Sequence, residues 1–579
     1  MLWAASSKSY AQQYGILVNG ADYYAASYEG EDPFGEGFEQ FLAHVYMHAG
    51  DYCQLYDAGN EAAWTVPLNT SSVNVFTLNN DRYNCTADGC YDFYIKLKYK
   101  NDQLYIGEGT DCSSTPADPD TPVTPGDFAT AVPSQCEDVM LQAFYWDSYQ
   151  DKGYGDTKWQ TLSGQVDEIG QYFDLVWLPP SHESKGGLGY IPSRYSSQSS
   201  SALGKKAALQ NLIAGLHAKG VRVLADIVIN HCGNSSNACD FNALDFGTYG
   251  QFSPQSNWMT SNDEGVSDYH CTGGSNPDDG QNGNDANYGP ARDWDHKNIN
   301  VQNMCKAYLK WMKNVMLYDG FRYDYAGGYH VSHINDYNTA SMPYFSVIEY
   351  WDGNAATLKT RIDQAGKNTL AFDFAAKYTA FRDGINNKAY SNLIAPGLRG
   401  KGYSKYAVTF IDNHDTFNRG NGNEPNGEGN GSSINNTSLM MRCNAYLLSM
   451  PGVPCVFWPH WVKYKAEIKA MITARKKAGI HSESSVDESY GSGWYQATVH
   501  GKYGNVILYL GSKASEAAPS GYQQAVKGSD YAMYYTGNGQ GVENVQNDKV
   551  SGAKFLKDGR LYIRCGEHVY DAQGRLLNR

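Results

Sequence analysis

Eighteen consecutive apolar side chains occur nowhere in the 579 residues, so the sequence offers no segment that could cross a bilayer as a helix. Positive charge is scarce: Lys+Arg 46 against Asp+Glu 61 give a formal net charge of -15, which argues against nucleic acid or an anionic membrane as partner. Neither Cys-x-x-Cys nor His-Glu-x-x-His occurs, which removes the common zinc arrangements. The opening Met1-Leu2-Trp3-Ala4-Ala5 is too short for a signal peptide, as expected of a cytosolic protein or of a chain beginning near a mature N-terminus. Against these shortages stand Gly 60, Tyr 46 and twelve cysteines. Tyrosine offers flat faces for sugars but also fills β-sandwich cores, so its abundance alone decides nothing. Cys85 and Cys90 bracket a hairpin-like loop that a disulfide could close, and Cys232 and Cys239 flank another; two such close pairs favour an oxidising compartment.

The length calls for roughly two to four domains. Residues 1–111 read as strands only, with Tyr91 to Tyr99 and Gln103 to Ile106 alternating in polarity between turn signals, and predict a small antiparallel β-sandwich. A proline-rich linker follows within 112–137. An all-β module tethered in this way is a common binding accessory and is similar to starch-binding modules. Tyr23, Tyr24 and Trp64 are its candidate stacking residues, with core packing the alternative for each. From Asp138 the pattern alternates between strand and helix. Apolar runs at Val139–Tyr145, Leu175–Leu178, Val221–Ile229, Phe321–Tyr325, Phe345–Ile348, Leu370–Phe374, Ala407–Ile411 and Val453–Phe457 supply the strands of a (β/α)8 barrel over 138–480. Residues 232–292, rich in Gly, Asn, Asp and Ser, are too long for a loop and predict a small inserted subdomain after the third strand. A C-terminal antiparallel β-domain is expected over 481–536. Residues 537–579 read as a pair of hairpins, similar to the C-terminal sorting tails of some bacteria, or simply as further strands. The fold class is therefore multidomain, α/β plus all-β.

The chemistry concentrates at the ends of the barrel strands, where such folds place their sites. The fourth run ends Phe321-Arg322-Tyr323-Asp324; along a strand, i and i+2 share a side, so Arg322 would hold Asp324 ionised. Glu349 closes the fifth run without a basic neighbour in sequence, leaving its pKa free to rise as a general acid requires. The third run ends Asp226-Ile-Val-Ile-Asn230-His231 and the seventh Phe410-Ile-Asp-Asn-His414-Asp415. One carboxylate held ionised and one able to keep a proton suit glycosyl transfer.

These four motifs, in this order, resemble the conserved regions of the alpha-amylase family of retaining glycoside hydrolases, and of the plant-type members in particular. Val176-Trp-Leu-Pro-Pro, Gly189-Tyr-Ile-Pro, Phe372-Asp-Phe and Pro451-Gly-Val-Pro-Cys-Val-Phe match the same type. The resemblance runs from about Val139 to about Tyr535. It implies Asp324 as nucleophile, Glu349 as acid/base and Asp415 as the carboxylate that stabilises an oxocarbenium-like transition state. It further implies Tyr190 stacking on the sugar, His231 and His414 donating to it, Arg322 orienting Asp324, and Trp351 and His330 on the substrate side. A Ca²⁺ ion is implied, held by Asn230, Asp285, Asp293 and the carbonyl of Gly328. Starch or another α-1,4-glucan is the implied partner, with the chain a monomer at an extracellular or cell-surface location of bacterial type. The sequence departs from the pattern at Gly327, where a basic residue is usual, at Arg194 to Ser201, and at Trp458-Pro-His460-Trp. A transglycosylase on the same barrel and a non-catalytic glucan-binding protein are the alternatives; retention of Asp324, Glu349 and Asp415 together speaks against the second.

Overall fold

The computed structural model describes residues 14–19, 22–31, 39–57, 62–66, 68, 74–79, 81–97, 102–109, 131–233, 241–261, 276–277, 279–281, 291–417, 433–538, 552–557, 560–565 and 568–571. Eight parallel strands close a barrel in chain order: β1 (Met140–Gln142), β2 (Leu175–Trp177), β3 (Arg222–Ile227), β4 (Gly320–Tyr323), β5 (Phe345–Ile348), β6 (Leu370–Phe372), β7 (Ala407–Phe410) and β8 (Val453–Phe457). β1 pairs with both β2 and β8, which seals the ring. Each strand falls on one of the eight apolar runs, because strands covered on both faces need near-continuous apolar sequence; every residue of β4, β5 and β8 is buried.

Helices wrap the barrel between strands. Lys206–Ala218 precedes β3, and Ile299–Asn314 precedes β4 with Asn298 capping its first turn by accepting from the Asn300 amide. Val301, Met304, Cys305, Tyr308 and Met312 form the buried stripe of the second helix, at the spacing an amphipathic helix requires. The segment between β3 and β4 contains two short ladders, His231–Cys232 with Arg292–Asp293 and Leu244–Asp245 with Gln251–Phe252.

Residues before the linker form two antiparallel sheets that share one core containing Ile16, Phe41, Leu55, Tyr83, Phe93 and Ile106, a sandwich as expected. Register settles the alternatives left open for its aromatics. Tyr24 pairs with Ile16, Ile16 with Leu55, and Leu55 with Trp64, so all four share the inward face. Tyr24 and Trp64 pack against the core, and the Trp64 ring meets Tyr14 edge-on at 6.2 Å. The Tyr23 side chain and the proline-rich linker lie outside the described residues.

The expected cysteine pairs do not form. Cys85 is a free, buried thiol facing the sandwich core, and Cys90, on the next strand, is disulfide-bonded, so the two do not pair with each other. Cys232 is likewise free and buried, its thiol 3.3 Å from the Pro192 carbonyl; Cys239 is outside the described residues. A five-stranded antiparallel sheet spans 485–535, and Gly552–Lys557, Arg560–Cys565 and His568–Asp571 form a three-stranded meander where two hairpins were expected.

One buried cation ties the end of the barrel together. Arg475, fully buried, donates to the carbonyls of Leu448 (3.3 Å), Met450 (2.6 Å) and Gly452 (2.9 Å), which lead from the helix Thr437–Ser449 into β8. Burial lowers its pKa to about 10. Arg475→Met strands these acceptors without water and is expected to cost about 3 kcal/mol; a calorimetric melting temperature unchanged from the parent would contradict this account.

Candidate active site

The site is built around Arg322, fully buried on β4. Its Nη1 donates to Asp226 Oδ1 and to Asp324 Oδ1, both at 2.7 Å, while its Nη2 lies 2.6 Å from Glu349 Oε1. The neighbours come from three adjacent strands: Asp226 sits opposite Arg322 in the β3–β4 register, and Glu349 follows β5, whose Val347 pairs with Arg322. Lying on β4 between them, the guanidinium reaches both sides. It also stands 4.9 Å from the centre of the Trp177 ring.

The carboxyl groups are not equivalent. Asp226 accepts from Arg322, from the Trp177 indole at 3.0 Å and from the Tyr190 hydroxyl at 2.8 Å; burial pushes its pKa up to about 7 against the pull of the Arg322 charge. Burial raises Asp324 too, with the Arg322 charge pulling it back. Glu349 has no basic neighbour in sequence, but across the strands it has Arg322, so one guanidinium serves three carboxyls. Glu349 is raised by burial and by the Asp324 charge, and lowered by Arg322, by the Tyr325 amide at 3.1 Å and by the Trp351 side chain. The charge of Asp324 therefore favours the protonated form of Glu349.

Tyr325 directs that amide. Its φ of 42° is unusual for an aromatic residue and carries backbone strain of the kind found at functional sites. It turns the chain just after Asp324 so that the Tyr325 N–H meets Glu349 Oε2 and the Ala326 N–H meets the Glu349 carbonyl at 3.0 Å.

Asp415, its side chain 30% exposed, stands at the mouth. Removal from water and the Glu349 charge raise its pKa well above the usual carboxylate range, and the remaining exposure makes the Glu349 charge the firmer of the two causes. His414 is buried and its pKa lies well below the ordinary imidazole value, from burial and the Arg322 charge, so the ring is neutral. Gln142 Nε2 donates to His414 Nδ1 at 3.0 Å, which leaves the ring proton on Nε2, 3.2 Å from Asp415 Oδ2. The His414, Tyr190 and Trp146 rings lie nearly parallel, with centroids 5.1–5.6 Å apart and interplanar angles of 6–11°. Behind them Asp412, held to about 2 by Lys377 and His460 against its burial, fixes the segment between β7 and Asp415.

Tyr190, Arg322, Asp324, Glu349, His414 and Asp415 are thus brought together. His231 adjoins them through the Tyr190 carbonyl, 2.9 Å from its Nε2. Trp351 flanks Glu349 and packs on Phe374 at 4.6 Å. The His330 ring is tied to the Ser332 hydroxyl at 2.7 Å. Asn230 donates to Asp293 at 2.9 Å, and a Cβ on Gly328 would overlap Asn230 Oδ1, so these three form one cluster. Asp285 lies outside the described residues. Sequence reasoning gave no role to Asp226, Gln142, Trp146 or Trp177; the signal for Gln142 is a polar side chain inside the apolar run of β1.

A parallel barrel with four carboxyl groups gathered at its strand ends defines a (β/α)8 enzyme with acid/base chemistry. The alpha-amylase catalytic-domain family matches residues 145–364. Probable alpha-amylase 2 of Arabidopsis thaliana is 29% identical over 423 residues, 69% of this chain and 94% of that one. The alpha-amylase type B isozyme of Hordeum vulgare is 32% identical over 149 residues, 24% of this chain and 86% of that sequence. Gamma-CGTase from alkalophilic Bacillus clarkii superposes with a TM-score of 0.51 at 16% identity, over 71% of this chain and 72% of that one, which speaks to the fold alone. The chain belongs to the alpha-amylase family of glycoside hydrolases.

Arg322→Lys keeps a charge but loses the fork that reaches Asp324 and Glu349 together. We expect kcat/KM to fall about a hundredfold. The Arg322 charge lowers the Glu349 pKa, so Arg322→Gln, which removes that charge, is expected to move the alkaline limb of the pH–kcat/KM profile upward; a limb that moves down would contradict the assignment.

Proposed function

We propose that the chain hydrolyses internal α-1,4-glucosidic bonds of starch-type glucans with retention of anomeric configuration. The single observation that carries this is the Arg322 guanidinium, which lies 2.7 Å from Asp324 Oδ1 and 2.6 Å from Glu349 Oε1 and so joins both carboxyls at adjoining strand ends. Asp324 attacks the anomeric carbon; Glu349 donates its proton to the departing glycosidic oxygen and then takes one from the incoming water. Retention calls for these carboxyls at ~5–5.5 Å separation. Asp415, oriented by His414, faces the positive charge that develops on the ring, and the parallel Tyr190 and Trp146 rings suit a pyranose face. Hydrolysis is preferred to transglycosylation because the Arabidopsis thaliana and Hordeum vulgare relatives are named alpha-amylases.

A Ca²⁺ ion fits the chain's own residues. Asn230 Oδ1 is buried against Gly328 with no hydrogen-bond partner among the described residues, and Asn230 Nδ2 donates to the Asp293 carboxylate, so hard oxygen donors of the kind Ca²⁺ takes are gathered here. Asn230, Asp293 and the Gly328 carbonyl would hold it, with Asp285 a fourth candidate. Bound there, the ion supplies charge that fastens the β3–β4 segment to the barrel.

The sandwich and its proline-rich tether support an accessory carbohydrate-binding module at 1–111, a linker at 112–137, the barrel at 138–480, a β-domain at 481–536 and a sorting-type tail at 537–579. Among the described residues no helix is long and apolar enough to cross a membrane. The Cys90 disulfide supports an oxidising, extracellular or cell-surface location, and we take the protein to act as a monomer.

Glu349→Gln is expected to lower starch hydrolysis by at least about a thousandfold while starch still binds, with the α-anomer as the first product of the parent enzyme; undiminished turnover or β-anomeric product would refute the mechanism. Chelation is expected to lower the melting temperature of the parent and to leave Asn230→Leu unaffected; equal responses would remove Asn230 from the metal site.

A further inference from the structure

We propose that Gln281 is a positioning residue that fixes the loop carrying the nucleophile against the loop carrying the acid/base. All four of its polar groups are used, and each reaches a different residue. Its backbone N–H donates to the Gly327 carbonyl at 2.7 Å, and its Oε1 accepts from the Val331 N–H at 3.2 Å, both in the loop that begins at Asp324. Its carbonyl accepts from the Tyr350 hydroxyl at 2.8 Å, next to Glu349. Its Nε2 donates to Gln364 Oε1 at 3.1 Å, at the end of the helix Ala355–Gln364 that follows β5. The receiving groups are themselves fixed: Tyr350 is buried, the Arg361 guanidinium lies 5.2 Å from its ring centre, and Arg361 Nη1 donates to the same Gln364 oxygen at 2.9 Å. Two residues upstream, Asp279 accepts from the His330 N–H at 3.2 Å and pairs with His333 at 3.3 Å, so the segment is anchored independently of Gln281.

On the inner side the Tyr325 and Ala326 amides join the two loops at Glu349. One line of attachment acts as a hinge. Gln281 supplies the second line, on the outer side, and two lines fix an angle. Gly327 has no side chain with which to brace the loop itself. Because reaction rates fall steeply when reacting groups are displaced by an ångström, a tie of this kind acts on turnover more than on substrate binding.

This inference rests on the assignment of Asp324 and Glu349, and the experiment separates the two. On a short chromogenic maltooligosaccharide, Gln281→Leu is expected to lower kcat about tenfold with KM changed less than about twofold. Gln281→Glu, which keeps the acceptor for Val331, is expected to recover kcat to within about threefold of the parent. Tyr350→Phe, which removes the tie on the acid/base side, is expected to lower kcat similarly, and the double variant with Gln281→Leu to lose less than the product of the two. A kcat within about twofold of the parent in Gln281→Leu, fully multiplicative losses, or a raised KM at constant kcat would each overturn the role. Glu349→Gln is measured in parallel. Turnover retained there overturns the assignment of the acid, whereas an inactive Glu349→Gln beside an unaffected Gln281→Leu overturns the positioning role alone.

Discussion

One guanidinium among four carboxyl groups is the constraint on which the site depends. Arg322 is buried completely, and a charge so placed persists only when opposite charge lies against it. Asp226, Asp324 and Glu349 meet that need together, and in doing so they exceed it. The excess negative charge cannot all be expressed at once in a site shielded from water, so one group must keep its proton. Their surroundings differ: Asp226 accepts from three donors, Asp324 shares the same Nη1, and Glu349 and Asp415 are each raised by the charge of a neighbouring carboxyl. The carboxyl groups are thereby made unequal by electrostatics within a single cluster.

The barrel makes that cluster possible by what parallel register does to strand ends. Arg322 and Asp324 are two residues apart, but Asp226 and Glu349 arrive from neighbouring strands, and the side of the ring opposite them delivers Gln142, His414 and Asp415. Rigid elements hold the charges, and the strained turn at Tyr325 aims one amide at Glu349. The second layer of support is polar as well: Lys377 and His460 hold Asp412, and Gln142 sets the His414 tautomer.

The strands were legible because a buried parallel strand demands an uninterrupted apolar run, and the ends were legible because charged residues interrupt those runs where the strands emerge. What a single sequence does not carry is contact across strands. The Arg322–Glu349 contact depends on the β4–β5 register, and Gln142 reaches His414 only because β1 and β8 close the ring. Local spacing misled at the cysteines: Cys85 and Cys90 are near in sequence, but Cys85 turns into the sandwich core while Cys90 bonds elsewhere. In the same sandwich, alternation alone could not say which face Tyr24 and Trp64 share; pairing with Ile16 and Leu55 turns both inward.

The surplus of acid groups at Asp324, Glu349 and Asp415 over the lone Arg322 also bears on which sugars are admitted. A further negative charge brought there, on a uronate or a phosphate-bearing residue, would compete with these carboxyl groups for the one guanidinium, whereas a neutral glucose ring would not.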